Sequence, residues 1–259
     1  MRDWHPWQTD SFRFSAEDEV HVWRVPLPIP EPFLHSLDAL LSADEKNRAA
    51  RFKFDKHRKN FISARGQLRL LLAAYTGQSP DKLRFTYNRF GKPSLISDGT
   101  FPQMHFNISH SHKLALMAFH PHWELGVDIE WMKPDFDGLH LVHRFFSPNE
   151  IEQIKALPDH QKREAFFNGW TRKEAYIKAR GRGLNIPLAQ FSVLLVPGQP
   201  ARLLETSHDP QAVNEWSLQD IPIDAGYKAA IVVHAANFKL SLRSAEQLER
   251  LLKTQARNL

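Results

Sequence analysis

The chain has 259 residues, 42% of them hydrophobic and 24% charged, the composition of a globular protein rather than a disordered or fibrous one. It has no cysteine, which excludes disulfides, thiolate nucleophiles and cysteine-bound zinc. A net charge of +5 favours an anionic partner (nucleic acid, a phosphorylated small molecule or an acidic protein) without choosing among them.

No apolar run approaches the roughly 20 residues of a membrane span. Met1 to Asp10 lacks the apolar stretch of a signal peptide. A cytoplasmic protein without membrane segments is therefore expected. The length sits at the upper limit for one core, so two packed halves are expected rather than a single layer.

In chain order, Val20 to Leu27 alternates apolar and polar residues and predicts a strand. Pro26, Pro28, Pro30 and Pro32 then predict a rigid connector that interrupts helix and central strand alike. A long helical region is predicted from about Asp44 to Tyr75, with Phe61, Leu68, Leu72 and Tyr75 facing the core. Its Arg51, Arg58 and Arg65 recur every seven residues, with Arg48 and Arg69 close to the same basic stripe. Gly77 and Pro80 mark its end. Short strands follow at Leu83 to Tyr87 and Leu114 to Phe119, the second apolar on both faces and so central.

The pattern then restarts. Leu125 to Trp131 predicts a strand, Ser147 to Leu157 a helix, and Arg163 to Arg180 a stronger helix. Strands near Phe191 to Val196, Glu215 to Leu218 and Lys228 to Val233 close the second half. Strand, helices and strands, twice over, predict an α+β fold of two similar subdomains, with a boundary near Pro121 to Glu124. These are residues 1–122 and 123–235, followed by a tail, 236–259, in which a short amphipathic helix is expected over Ser244 to Arg257.

Four segments carry candidate chemistry. In Gly126-Val-Asp-Ile-Glu130, alternation points Val127 and Ile129 one way and Asp128 and Glu130 the other, roughly 7 Å apart. Two such acids are either a solvated edge-strand face or ligands of a hard cation such as Mg²⁺. In Phe166 to Gly183, Trp170, Glu174 and Lys178 form one helical stripe. Glu174 and Lys178 make either a surface ion pair or the completion of a metal and phosphate site. In Phe106 to Phe119, Asn107, Ser109 and His110 precede the buried strand, as an ordinary turn or as donors to phosphate oxygens. Gly91, Lys92 and Pro93 shape a tight loop with a phosphate-seeking lysine, a pattern that also occurs in ordinary turns. Ser147-Pro-Asn-Glu150 reads as a capping box, which assigns Glu150 to helix initiation.

In this order and spacing, GKP at 91–93, FNISHS at 106–111, GVDIE at 126–130 and WTRKEAYIK at 170–178 resemble the Sfp-type 4′-phosphopantetheinyl transferases. The resemblance runs from near Ser42 to near His234. It implies a pseudo-dimer of two subdomains, each a small, mostly antiparallel sheet on a long helix, with coenzyme A in the cleft between them. It further implies Mg²⁺ on Asp128, Glu130 and Glu174. Lys178, Ser109 and His110 would meet the phosphates, Gly91, Lys92 and Pro93 the adenine end, and Arg48 the 3′-phosphate. Arg58 and Arg65 would belong to the same basic surface, and Trp170 would position its neighbours.

Catalytic roles would fall on Glu174, Lys178 and His110, with Glu174 taking the serine proton directly or through a metal-bound water. The partners implied are coenzyme A and an acidic acyl or peptidyl carrier protein, with the enzyme acting as a monomer. Against this stand a basic nucleic-acid-binding protein, which leaves Asp128 and Glu130 unexplained, and a homologue that binds carriers without catalysis.

Overall fold

The computed structural model describes residues 5–6, 12–97, 99, 101, 103–135, 138–183 and 186–245. The first half runs β1 (His5–Pro6), β2 (Glu19–Pro26), α1 (Glu31–Ala39), α2 (Ala43–Ala50), α3 (Asp55–Thr76), β3 (Phe85–Tyr87), β4 (Pro93–Leu95), β5 (His105–Ser111) and β6 (Leu114–His120). The second runs β7 (Leu125–Trp131), α4 (Val142–Phe145), α5 (Pro148–Ala156), α6 (Asp159–Arg180), β8 (Phe191–Val193), β9 (Leu203–Thr206), α7 (Ala212–Glu215), β10 (Ser217–Asp220), β11 (Tyr227–Val233) and β12 (Lys239–Ser244). The architecture is mixed α+β, with small, largely antiparallel sheets beside helices.

The proline run does not keep helix away. α1 starts at Glu31, with Pro32 in its first turn, where the missing amide costs no intrahelical bond. The single long helix expected from Asp44 divides into α2 and α3. Phe54 is extended (φ −109°, ψ 131°) and caps α3, so the chain turns between Arg51 and Asp55. Gly77 ends α3 in the left-handed region at φ 72°, as its position suggested.

Two sheets organise the molecule. One has the order β1-β12-β2-β6-β5 and the other β10-β11-β7; β3-β4 and β8-β9 are separate hairpins. Residues 236–259, set apart as a tail by the sequence, instead include β12, which lies parallel to β2 inside the first sheet. The helix expected over Ser244 to Arg257 falls almost wholly outside the described residues. Strands β4, β5 and β9 were also unforeseen.

Alternation explains the layers. On β2, Trp23 and Val25 are buried against α3, while Val20 and Val22 join Val127 and Ile129 of β7 and Ile231 of β11 in a shared core. That shared core holds the sheets of the two halves together, with every one of those side chains at 0% exposure. On β7 the alternate residues Gly126, Asp128 and Glu130 therefore turn toward α6. A Cβ at Gly126 would overlap the Ala175 carbonyl and the Ala179 amide, so α6 lies directly on the strand backbone. Among the described residues no helix is long and apolar enough to cross a membrane.

Candidate active site

Strand β5 is the outer strand of one sheet and β7 of the other, and the two edges meet through side chains. Residues two apart on β5 face the same way, and here they are Asn107, Ser109 and Ser111. Asn107 Oδ1 accepts from the Val127 amide at 3.0 Å. Ser109 Oγ donates to Asp128 Oδ1 at 2.8 Å. Ser111 Oγ donates to Glu130 Oε2 at 2.9 Å and accepts from the Trp131 amide at 3.0 Å. The segment expected as a turn is thus a strand whose polar face clasps the acidic strand. Ser111 was missed by the sequence reading, although its place in the Asn-x-Ser-x-Ser alternation was the available signal.

Helix α6 closes the site from the other side. Lys178 Nζ donates to Asp128 Oδ1 at 2.6 Å and to Ser109 Oγ at 2.8 Å. Of the two readings of Glu174 and Lys178, a surface ion pair or part of a metal and phosphate site, the surface pair gives way to this reach to the strand. Asp128 Oδ2 is buried without a hydrogen-bond partner. Burial, then the charge of Asp128, raises Glu174 to about 7, with Lys178 opposing. Burial and Asp128, in that order, also raise Glu130, against the lowering effects of Ser111, Lys178 and Trp170. His110 is lowered by burial and by the nearby charge of Lys178. Among the described residues no three His, Asp or Glu side chains converge closely enough to hold a metal ion. The lysine, rather than a third carboxylate, sits against Asp128.

Beside this cluster a cavity of about 350 Å³ is lined by Arg48, Arg65, Gly91, Pro93 and His110, together with His57, which the sequence reading had not singled out. Lys92 does not join it. Its ammonium donates to the carbonyls of Ala179 (2.8 Å) and Leu125 (3.3 Å), capping the end of α6. Arg58 pairs with Asp55 on the surface at 2.6 Å. The regular basic stripe also dissolves, because Arg65 and Arg69 turn inward onto buried Glu45. Trp170 packs edge-on against Phe145 and lines a smaller apolar cavity, about 270 Å³, with Glu130 and Phe166.

The sequence matches two family models, the 4′-phosphopantetheinyl transferase superfamily over residues 124–232 and the 4′-phosphopantetheinyl transferase N-terminal region over residues 23–122. It is 42% identical to 4′-phosphopantetheinyl transferase HetI of Nostoc sp. over 83% of this chain and 88% of that protein. The chain belongs to the Sfp-type 4′-phosphopantetheinyl transferases. Its identity to 4′-phosphopantetheinyl transferase Sfp of Bacillus subtilis is 31%, over 81% of this chain and 90% of that one. Among solved structures, Helicobacter pylori holo-[acyl-carrier-protein] synthase in complex with coenzyme A aligns at TM-score 0.30 and 24% identity, over 42% of this chain and 96% of that chain. The sequence clasped between β5, β7 and α6 thus lies inside the two matched regions of this transferase family.

Proposed function

We propose that the protein transfers 4′-phosphopantetheine from coenzyme A to a serine of an acyl or peptidyl carrier protein and releases 3′,5′-ADP. The observation that carries this reading is the meeting of Asp128, Glu130, Glu174 and Lys178 at the β5–β7 seam, next to a cationic cavity. Family membership supplies the reaction class. We read residues 1–122 and 123–235 as two like subdomains facing each other across that seam, so one chain is sufficient for the site.

In the reaction the serine oxygen forms a bond to the β-phosphorus of coenzyme A. The bond from that phosphorus to the bridging oxygen breaks, and its electron pair leaves with 3′,5′-ADP. Negative charge gathers on the departing phosphate, and Lys178, already held at the seam, is the cation placed to meet it. Glu174 is the candidate acceptor of the serine proton, since a carboxyl raised to about 7 exchanges protons near neutrality. Arg48 and His110, with the backbone of Gly91 and Pro93, bind the nucleotide end in the larger cavity.

The acids also suit a divalent cation. Asp128 Oδ2 is buried and unpartnered, and Glu130 and Glu174 are raised by burial and then by the charge of Asp128, a condition a hard cation relieves. In the structure these three side chains do not converge on one point, so Asp128, Glu130 and Glu174 would have to draw together to hold Mg²⁺, which when bound supplies charge neutralisation to the pyrophosphate.

Intact-protein mass spectrometry of apo carrier proteins tests the reading. Incubation with enzyme, coenzyme A and Mg²⁺ should add one phosphopantetheine per carrier, and EDTA should prevent it. No addition to fatty-acid or peptidyl carriers, with no binding of coenzyme A, would overturn it.

A further inference from the structure

The segment 51–58 joins α2 to α3 and opens α3, and it is exposed at every position. It carries two phenylalanines: Phe54 is 61% exposed and Phe52 38%. Around them, residues 46–59 hold seven Lys and Arg against one Asp, a local +6 in a chain whose total is +5. Arg58 and Lys59 are engaged by Asp55 and Glu31. Lys53 and Lys56 have no acidic partner among the described residues, and the Lys53 ammonium hangs 5.7 Å from the centre of the Phe54 ring. Phe54 meets the His57 ring edge-on at 5.9 Å, and the rest of this benzyl group stands in water inside a strongly positive field. The partner it fits is anionic, with an apolar spot inside the anionic face.

Position identifies which anionic partner. Phe52 and His57 of the same segment line the cationic cavity, whose wall also includes His110, next in sequence to the Ser109 that Lys178 holds. A macromolecule seated on residues 51–58 therefore lies one cavity away from the atoms that must react. The nucleotide itself needs the inside of that cavity, not the outward-facing Lys53, Phe54 and Lys56.

We propose that residues 51–58 form the docking surface for the acceptor, an acidic carrier protein whose carboxylates meet Arg51, Lys53 and Lys56 and whose apolar spot covers Phe54. The identity of the partner rests on the transferase reading; the surface itself rests on exposure and charge.

Calorimetric titration with an apo acyl carrier protein, without coenzyme A, tests it apart from catalysis. Lys53→Glu/Lys56→Glu should weaken carrier binding by about 10-fold or more, and Phe54→Ser by a few-fold, since reversed charges repel an acidic partner. Coenzyme A affinity and the thermal midpoint should stay at the wild-type values. Lys155→Glu, an exposed lysine on α5, should leave carrier binding unchanged. Wild-type carrier binding by the double variant would overturn the proposal. So would equal weakening by Lys155→Glu, or a loss confined to binding of phosphatidylserine-containing vesicles. Phosphopantetheine transfer by the wild type is scored separately by mass: binding without transfer counts against the catalytic reading and leaves the docking surface standing.

Discussion

The two halves anchor their long helices by related means with different cations. In the first, Ser42 and Glu45 form the capping box of α2, and Glu45 reaches Arg65 and Arg69 on α3. In the second, Ser147 and Glu150 cap α5, and Glu150 reaches Lys173 on α6 at 2.6 Å. Both long helices have 22 residues, and a glycine at positive φ ends each. Each cation also lies over the first phenylalanine of the following hairpin, Arg65 over Phe85 at 3.9 Å and Lys173 over Phe191 at 4.2 Å. The electrostatic outcomes differ. Burial pushes Glu45 up, but Arg69 and Arg65 outweigh it and leave the carboxyl below its ordinary value. Burial also pushes Glu150 up, and a single ammonium does not bring it back; Lys173 itself is lowered to about 8 by its burial. Two guanidiniums, with fixed donors and no accessible neutral form, complete a buried carboxylate where one lysine only shares the desolvation cost.

The strands diverge in the same way. On β2 the helix-facing residues are spent on core: Trp23 and His21 both bond the Tyr75 hydroxyl, at 2.8 and 2.6 Å. On β7 the helix-facing residues are a glycine and two acids. One half uses that face to hold itself together; the other sets like charges close together on it.

Changing Glu45 tests the first contrast most severely. Glu45→Gln should cost about 3–5 kcal/mol, because two buried arginines cannot lose their charge. Glu150→Gln should cost less, about 1–3 kcal/mol, because Lys173 can shed its proton and leave only an imperfect hydrogen bond. Urea unfolding at pH 7 and pH 9 checks this. The Glu150 variant should approach wild type as pH rises past 8, whereas the Glu45 variant should not.

The second contrast is broken at Asp128. Asp128→Asn should lower turnover about 100- to 1,000-fold, the scale of losing a charge-stabilising group, while folding stability holds or rises as repulsion eases. Near-normal turnover in Mg²⁺ would remove Asp128 from the site. At the seam, Asn107→Ala leaves the buried Val127 amide unpaired and should cost about 1–3 kcal/mol. Ser111→Ala should cost less and should show mainly in turnover, through a loosened Glu130.

The smallest effect sharpens the pH behaviour. Glu174 is raised from 4.5 to about 7, so its stabilising contribution is complete below 4.5 and is lost as pH rises through 7 in metal-free protein. His21, lowered to about 3 by burial and Arg243, behaves oppositely: its contribution is complete above 6.5 and is lost as pH falls toward 3. Metal-free protein should therefore be destabilised from both sides. Mg²⁺ should raise the thermal midpoint more at pH 8 than at pH 5.5, by a margin that Glu174→Gln reduces.

Much of the fold was legible where one local rule suffices. Alternation located β2 and set the faces of β7, a run apolar on both faces located β6, and the capping box and Gly181 bracketed the helices of the second half. Legibility failed where burial depends on a partner distant in sequence. β5 reads as a polar turn because its Asn107, Ser109 and Ser111 are satisfied by β7 rather than by water. β12 reads as a tail because the strands that pair with it, β1 and β2, lie more than two hundred residues earlier in the chain. Arg65 and Arg69 read as an exposed basic stripe, since heptad spacing does not reveal that Glu45 waits behind them.

The sequence by itself determined which residue types share a face: two acids on one side of a strand, a glutamate and a lysine on one stripe of a helix, glycines where helices must stop. Those relations follow from backbone periodicity alone. Only the tertiary structure decided that Lys178 would reach across to Asp128, that Lys92 would cap a helix instead of facing the cavity, and that a serine strand from one half would hold the acids of the other. A side chain has one direction but several partners within reach, and which one it meets is set by packing between elements far apart in the chain.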